Sequence, residues 1–190
     1  MSFDFAKARQ MMVDSQVRPA DVTDYCVTDA MRVVERERLL PPERQALAYA
    51  DAEVPYAPGR ALMRPRDAGK LLQAVKPRPG ERALAIAAPY LAAVMQQIGL
   101  EVVRVDGEDL TRVPAGQFDV IVCEGAVSAV PASWLKALAP GGRLAAVERL
   151  GPAAKAVVYL HGETGIGRRE AFDASAPLLP GFEPKKQFAF

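Results

Sequence analysis

Histidine is nearly absent from this chain of 190 residues: His161 is the only one. Ser-His-Asp catalysis and His-rich metal sites therefore have no second candidate to draw on. His161 follows Val157, Val158, Tyr159 and Leu160, which is the setting of a strand residue rather than of a catalyst. Cysteine is almost as scarce. Cys26 and Cys123 sit in apolar periodic segments and read as reduced core residues of a cytoplasmic protein, not as a disulfide or a zinc framework. Neither sign of charge is in excess: 24 Lys and Arg face 23 Asp and Glu, a net charge of +1. That balance, without any basic block, gives no support to a nucleic acid or a membrane surface as partner. No apolar run approaches the roughly 20 residues of a membrane span. The opening residues MSFDFAKARQMMVDSQ carry charge throughout and lack the apolar core of a signal peptide, so a cytoplasmic location is expected.

Half of the residues are hydrophobic and a quarter are charged, the balance of a globular chain able to bury a substantial core. The most organised stretch is Glu81 to Asp106, ERALAIAAPYLAAVMQQIGLEVVRVD. It reads as strand, tight turn, helix and strand, the opening βαβ unit of a doubly wound sheet. Leu84 and Ile86 belong to the first strand, and Val102, Val103 and Val105 to the second. Between them Leu91, Val94, Met95 and Ile98 recur at i, i+3, i+4 and i+7, a helix entered through Pro89 and closed by Gly99. A nucleotide-like cofactor normally sits at such a turn. Here the turn is Ala87-Ala88-Pro89-Tyr90, without a glycine.

Upstream, residues 1–80 are expected to form a helical cap on a Rossmann-like unit over residues 81–190, the two making one compact body. Residues 3–17 predict a helix burying Phe5, Ala8, Met12 and Val13, stopped at Arg18-Pro19. A second helix, with Thr23 as N-cap, buries Val27, Ala30, Met31 and Val34. The run Glu35-Arg36-Glu37-Arg38 reads as a solvated face. Pro41-Pro42 opens a short helix to Tyr49, residues 51–62 form a loop or small hairpin, and a helix runs from Pro65 to Lys76 with Ala68, Leu71, Leu72 and Val75 inward.

Downstream, Phe118 to Cys123 is a buried parallel strand, Pro131 to Leu138 a helix with Trp134, Leu135 and Leu138 inward, and Arg143 to Glu148 another strand. Lys155 to His161 and Arg168 to Asp173 predict an antiparallel hairpin, and Gln187 to Phe190 could add a last strand.

Three segments carry a resemblance to the protein-L-isoaspartate (D-aspartate) O-methyltransferase family. Val33 to Pro41 followed by Ala48-Tyr49-Ala50-Asp51 resembles its "VPRE-x-F-V-P … A-Y-x-D" stretch. Gly59 to Pro65 is similar to its substrate-side "G-x-x-I-S-x-P". Phe118 to Val122 with Leu138 to Leu144 is similar to "D-x-I-x-V … L-x-P-G-G-R-L", which class I methyltransferases share. The resemblance implies an α/β class I methyltransferase-like sheet of seven strands ending in an antiparallel hairpin, S-adenosylmethionine as methyl donor, no metal, and isoaspartyl-containing proteins or peptides as substrate. It also implies a cofactor site at Ala87, Ala88, Tyr90, Asp106, Glu124 and Gly125, and a substrate side at Leu62, Met63 and Pro65. No catalytic residue is assigned; methyl transfer needs alignment of donor and carboxylate more than acid–base groups.

This sequence departs from the family pattern in three places. Glycine in the turn lets a cofactor approach the backbone, whereas each of Ala87 to Tyr90 carries a side chain and Pro89 lacks an N–H. Only the twelve residues Asp106 to Gln117 lead to the next strand, a reach of at most about 40 Å, too short for a further strand and helix. One strand-helix unit is therefore expected to be missing, which would bare the edge at Val102 to Val105 for a homodimer or another protein partner. Met63 stands where the family has a small hydroxyl residue. Asp106, at the end of the second strand, reads either as a ribose-binding acid or as an ordinary Asp-Gly turn. Glu124 and Gly125 read either as a site at the carboxyl edge of the sheet or as a strand-to-loop cap. Taken together, these departures predict weak or absent cofactor binding, hence a pseudoenzyme; the alternative is an active methyltransferase.

Overall fold

A computed structural model describes residues 4–184. Helix α1, Phe5–Met12, starts at Asp4, whose carboxylate accepts from the Lys7 N–H. The helix does not stop at Arg18-Pro19. It continues as a wider π turn over Val13–Val17 and a 3-10 turn over Arg18–Ala20, where Pro19 lies in the first turn and its missing N–H costs nothing. Helix α2, Tyr25–Val33, is capped by Asp24 rather than Thr23: Asp24 accepts from the Cys26 and Val27 amides, while Thr23 N–H donates to Gln73. Cys26 is exposed, against the expectation of a core residue, and only Cys123 is buried.

After 3-10 turns at Arg36–Leu39 and Pro42–Leu47, strands β1 (Val54–Ala57) and β2 (Arg60–Leu62) form the small antiparallel hairpin. Helix α3 spans Pro65–Val75 and ends on Lys76 in a left-handed conformation, φ 46°. Then comes the alternation read from the sequence: β3 (Arg82–Ile86), α4 (Pro89–Ile98, ending on left-handed Gly99) and β4 (Glu101–Val105).

Strand β5, Phe118–Val127, follows without any helix or strand between Asp106 and Gln117. Helix α5 is shorter than expected, Ala132–Lys136, because Leu138 already belongs to β6, Leu138–Leu150. Strands β7 (Ala153–Gly162) and β8 (Gly165–Asp173) form the antiparallel hairpin, and His161 lies on β7. The sheet order is β4-β3-β5-β6-β7-β8, parallel from β4 to β6 and antiparallel beyond. Among the described residues six strands stand where the resemblance implied seven. The short 106–117 connection leaves β4 as the edge among the described residues. The possible strand at Gln187 to Phe190 lies outside the described residues.

Each face of the sheet is covered by its own apolar cluster. Residues of α1 to α4, among them Met12, Met31, Leu72 and Met95, pack with Val120, Val122 and Ala145 on one face. On the other, Trp134, Leu110, Leu179 and Phe182 pack with Leu84, Ile86 and Ile121. Trp134 is wholly buried, and its indole N–H donates to the Leu110 carbonyl at 2.8 Å, which pins the 106–117 segment across this face.

Gly142 is required early in β6, where its register against β5 shifts: a Cβ there would lie 2.8 Å from the Ala139 oxygen and 2.9 Å from the Phe118 oxygen. Both contacts are backbone and cannot move aside. Gly142→Ala is expected to destabilise the protein by about 2–3 kcal/mol in chemical denaturation, as overpacking does. A loss below about 0.5 kcal/mol would show that the backbone yields there.

Candidate functional site

The crevice outside the carboxyl ends of β3 and β5, where the strand order reverses, is where ligands of open α/β sheets bind. In this chain it is built from three segments far apart in sequence. Ala87 leaves β3 in the left-handed region, φ 45°, a conformation that costs a residue bearing a Cβ about 1–2 kcal/mol. Ala88 is then the N-cap of α4. An alanine cannot cap, and Pro89 has no N–H, so the first free amides of the helix are those of Tyr90 and Leu91.

Glu124 supplies the cap from across the sheet. It is wholly buried, and its carboxylate accepts from the Tyr90 N–H at 3.1 Å and from the Met63 N–H at 3.0 Å, with the Leu91 amide also favouring its charged form. A carboxylate at the positive end of a helix is a favourable arrangement. Burial nevertheless pushes the carboxyl above its ordinary value, with Arg36 and the three amides pulling the other way.

Arg36 completes the cluster. The run Glu35-Arg36-Glu37-Arg38 is not a solvated face: Arg36 is 0% and Glu37 6% exposed. The Arg36 guanidinium lies over the Tyr90 ring, 4.5 Å from its centroid, and donates to the carbonyls of Ala48, at 2.7 Å, and Met63. Burial pulls its pKa below the usual value, while Tyr90, Glu124 and Tyr49 favour the cation. Glu37 accepts from the Tyr49 hydroxyl and from Arg9, at 3.2 Å; Tyr49 is pushed up to about 12 by its burial. Among the described residues Arg36 Nη1 and Tyr90 Oη have no hydrogen-bond partner.

The structure thus brings Ala87, Ala88, Tyr90 and Glu124 together with Met63, whose N–H and C=O link Glu124 to Arg36. Leu62 and Pro65, on either side of Met63, are buried. Gly125 is pressed by the segment after β8: a Cβ on it would lie 2.7 Å from Leu179. That segment runs along β5, with Ala126 N–H bonded to Pro177 O and Leu179 N–H to Ala126 O.

Asp106 follows Val105, whose carbonyl accepts from the Ala87 N–H at 2.8 Å, so the end of β4 borders this group. The Asp106 carboxylate is held by its neighbour Arg104, at 2.9 and 3.0 Å, and its carbonyl accepts from Arg60 of β2, as does that of Gly107. Sequence reasoning missed Arg36, although it lies inside a motif that carried the resemblance.

Three features here bear on the fit of S-adenosylmethionine. The turn has no glycine, the helix-start amides are taken by Glu124, and Tyr90 with Arg36 fills the space behind them. Among the described residues no helix is long and apolar enough to cross a membrane, and no group of His, Cys, Asp and Glu could hold a metal ion.

Comparison with known proteins places this geometry. A Plasmodium falciparum structure described as that of a protein-L-isoaspartate O-methyltransferase, in complex with S-adenosyl-L-homocysteine, superposes with a TM-score of 0.73 at 17% identity, over 90% of this chain and 97% of that one. The fold is therefore that of a class I methyltransferase-like α/β protein, with a mixed sheet and helices on both faces.

The protein-L-isoaspartate O-methyltransferase of Methylorubrum populi is 30% identical over 205 aligned residues, covering 92% of this chain and 96% of that protein. That of Methylorubrum extorquens is 29% identical over 209, covering 94% and 91%. The chain belongs to the protein-L-isoaspartate O-methyltransferase family. No family model matches it. An aligned length of 209 exceeds the 190 residues here, so that relative has stretches without a counterpart in this chain.

Proposed function

We propose that this chain is a family member whose cofactor site is closed, and that it acts through protein contacts, as a homodimer or with another protein, rather than by methyl transfer. The observation that carries the reading is Glu124. Its carboxylate occupies the helix-start amides that an anionic group of a ligand would otherwise use, and Arg36 and Tyr90 back it in a dry cluster. A ligand entering there must expel a buried carboxylate that keeps two backbone hydrogen bonds, a cost that binding has to offset before any affinity is seen. The left-handed Ala87 and the proline that follows it support the same reading. Titration calorimetry with S-adenosylmethionine and with S-adenosylhomocysteine is expected to give no binding heat up to millimolar ligand. Micromolar binding of either would overturn it.

A second reading is an active S-adenosylmethionine-dependent methyltransferase acting on isoaspartyl-containing proteins or peptides. Its support is the match to relatives of that name along nearly the whole chain. Methyl transfer to an isoaspartyl peptide, with no transfer to the normal aspartyl peptide, is the result that reading requires.

A further inference from the structure

We propose that two copies of this chain pair through their β4 strands, antiparallel about a two-fold axis at Val103, so that the two sheets become one. This rests on the protein-contact reading above and names the partner as a second copy.

The backbone of β4 fixes which groups are free. Glu101 N–H donates to Glu81 O at 2.9 Å, and Val105 O accepts from Ala87 N–H at 2.8 Å. Alternation along a strand then turns the N–H and C=O of Glu101, Val103 and Val105 toward β3, and those of Val102 and Arg104 toward solvent. Among the described residues no strand lies on that side.

An antiparallel partner bonds only where outward residues face outward residues. With the axis at Val103, Val102 of each copy faces Arg104 of the other, and all four outward N–H and C=O groups of each strand are used. An axis at Arg104 would set like charges opposite each other, which destabilises. An axis at Val102 would set Arg104 against Leu100, whose N–H already bonds Met95 O at 3.0 Å. The Val103 register therefore wins.

Side chains agree with it. Val102, Val103 and Val105 are half-buried, Val102 against one face cluster and the other two against the opposite one. A partner strand would extend both apolar layers, with Val103 against its own copy. Glu101 would face Val105 and Arg104 would face Val102, so no like charges stand directly opposite each other. The other edge, β8, is protected: its exposed run carries Gly165, Gly167, Arg168, Arg169 and a bulge opposite Ala156/Val157. Charges and bulges of that kind discourage edge pairing. On β4 the only charged residues are Glu101 and Arg104, which the register separates. The result is an isologous two-fold contact.

Light scattering on the intact chain at high micromolar concentration is expected to give twice the 20.5 kDa of one chain. Arg104→Pro removes an outward N–H that β3 does not use, and proline is tolerated on an edge strand; this variant is expected to keep its far-UV spectrum and to run as a monomer. In a Cys26→Ser background, Val103→Cys is expected to cross-link to itself under mild oxidation. Directly opposed, non-hydrogen-bonded residues have Cα atoms about 4.5 Å apart, within disulfide reach. Val105→Cys, which faces Glu101, is expected not to cross-link. A monomer at every concentration, a dimer indifferent to Arg104→Pro, or equal cross-linking at both positions would each sink the proposal. None of these outcomes bears on cofactor binding, which the calorimetry decides separately.

Discussion

Replacing Arg36 with methionine is expected to cost about 4 kcal/mol of folding stability, the range for breaking a buried charged cluster from one side. Methionine restores most of the volume and none of the donors. The carbonyls of Ala48 and Met63 lose their partner, and Glu124 is left as a buried carboxylate without a cation. A domain of this size loses about 2–4 °C in Tm per kcal/mol, so calorimetry should record a drop of about 10 °C. In the double variant with Glu124→Leu, the combined loss is expected to fall short of the sum by about 1–3 kcal/mol, because each change removes the reason for the other's cost. Additive losses would mean that the two groups do not act as a pair.

Glu124→Leu alone is expected to cost about 3–5 kcal/mol at neutral pH. It strips the acceptor from the Met63 and Tyr90 amides, leaves α4 without a cap at its start, and leaves Arg36 buried and unpaired. Its pH dependence follows from the direction of the shift. Burial raises the folded pKa of Glu124 above its unfolded value, so between the two values the folded state binds more protons than the unfolded one. The contribution of Glu124 is therefore full below the unfolded pKa and declines as pH rises through the folded one. Measured as the difference between wild type and variant, the cost of Glu124→Leu should be larger near pH 4 than at pH 7. A cost that grows with pH instead would mean that Arg36 and the amides outweigh burial and hold the carboxylate ionised.

The two predictions concern residues that the sequence represented unequally. Glu124 was a candidate because it ends a buried strand at the carboxyl edge, but both its readings, site and cap, were open. In the fold its carboxylate accepts from the Tyr90 N–H, 34 residues earlier in the chain. Arg36 was read as solvated because a run of alternating charge usually is. Its burial depends on the carbonyls of Ala48 and Met63 and on the ring of Tyr90, none of which lies within a helical turn of it. Cys26 failed in the opposite direction. Its place in an apolar periodic segment suggested the core, but α2 turns the stripe Val27, Ala30 and Met31 inward and leaves Cys26, which lies off that stripe, at the surface.

By itself the sequence determined the strands and helices whose side chains repeat at a fixed local period: the β3-α4-β4 unit, α3, β5 and the β7-β8 hairpin. It also determined, by the length of one connection, that a strand-helix unit is missing. Those are properties of spacing, and spacing is written along the chain. Only the tertiary structure decided what fills the crevice at the end of β3. A buried carboxylate and a buried guanidinium are tolerated there because each is paid for by hydrogen bonds from distant segments, and folding alone brings those segments together.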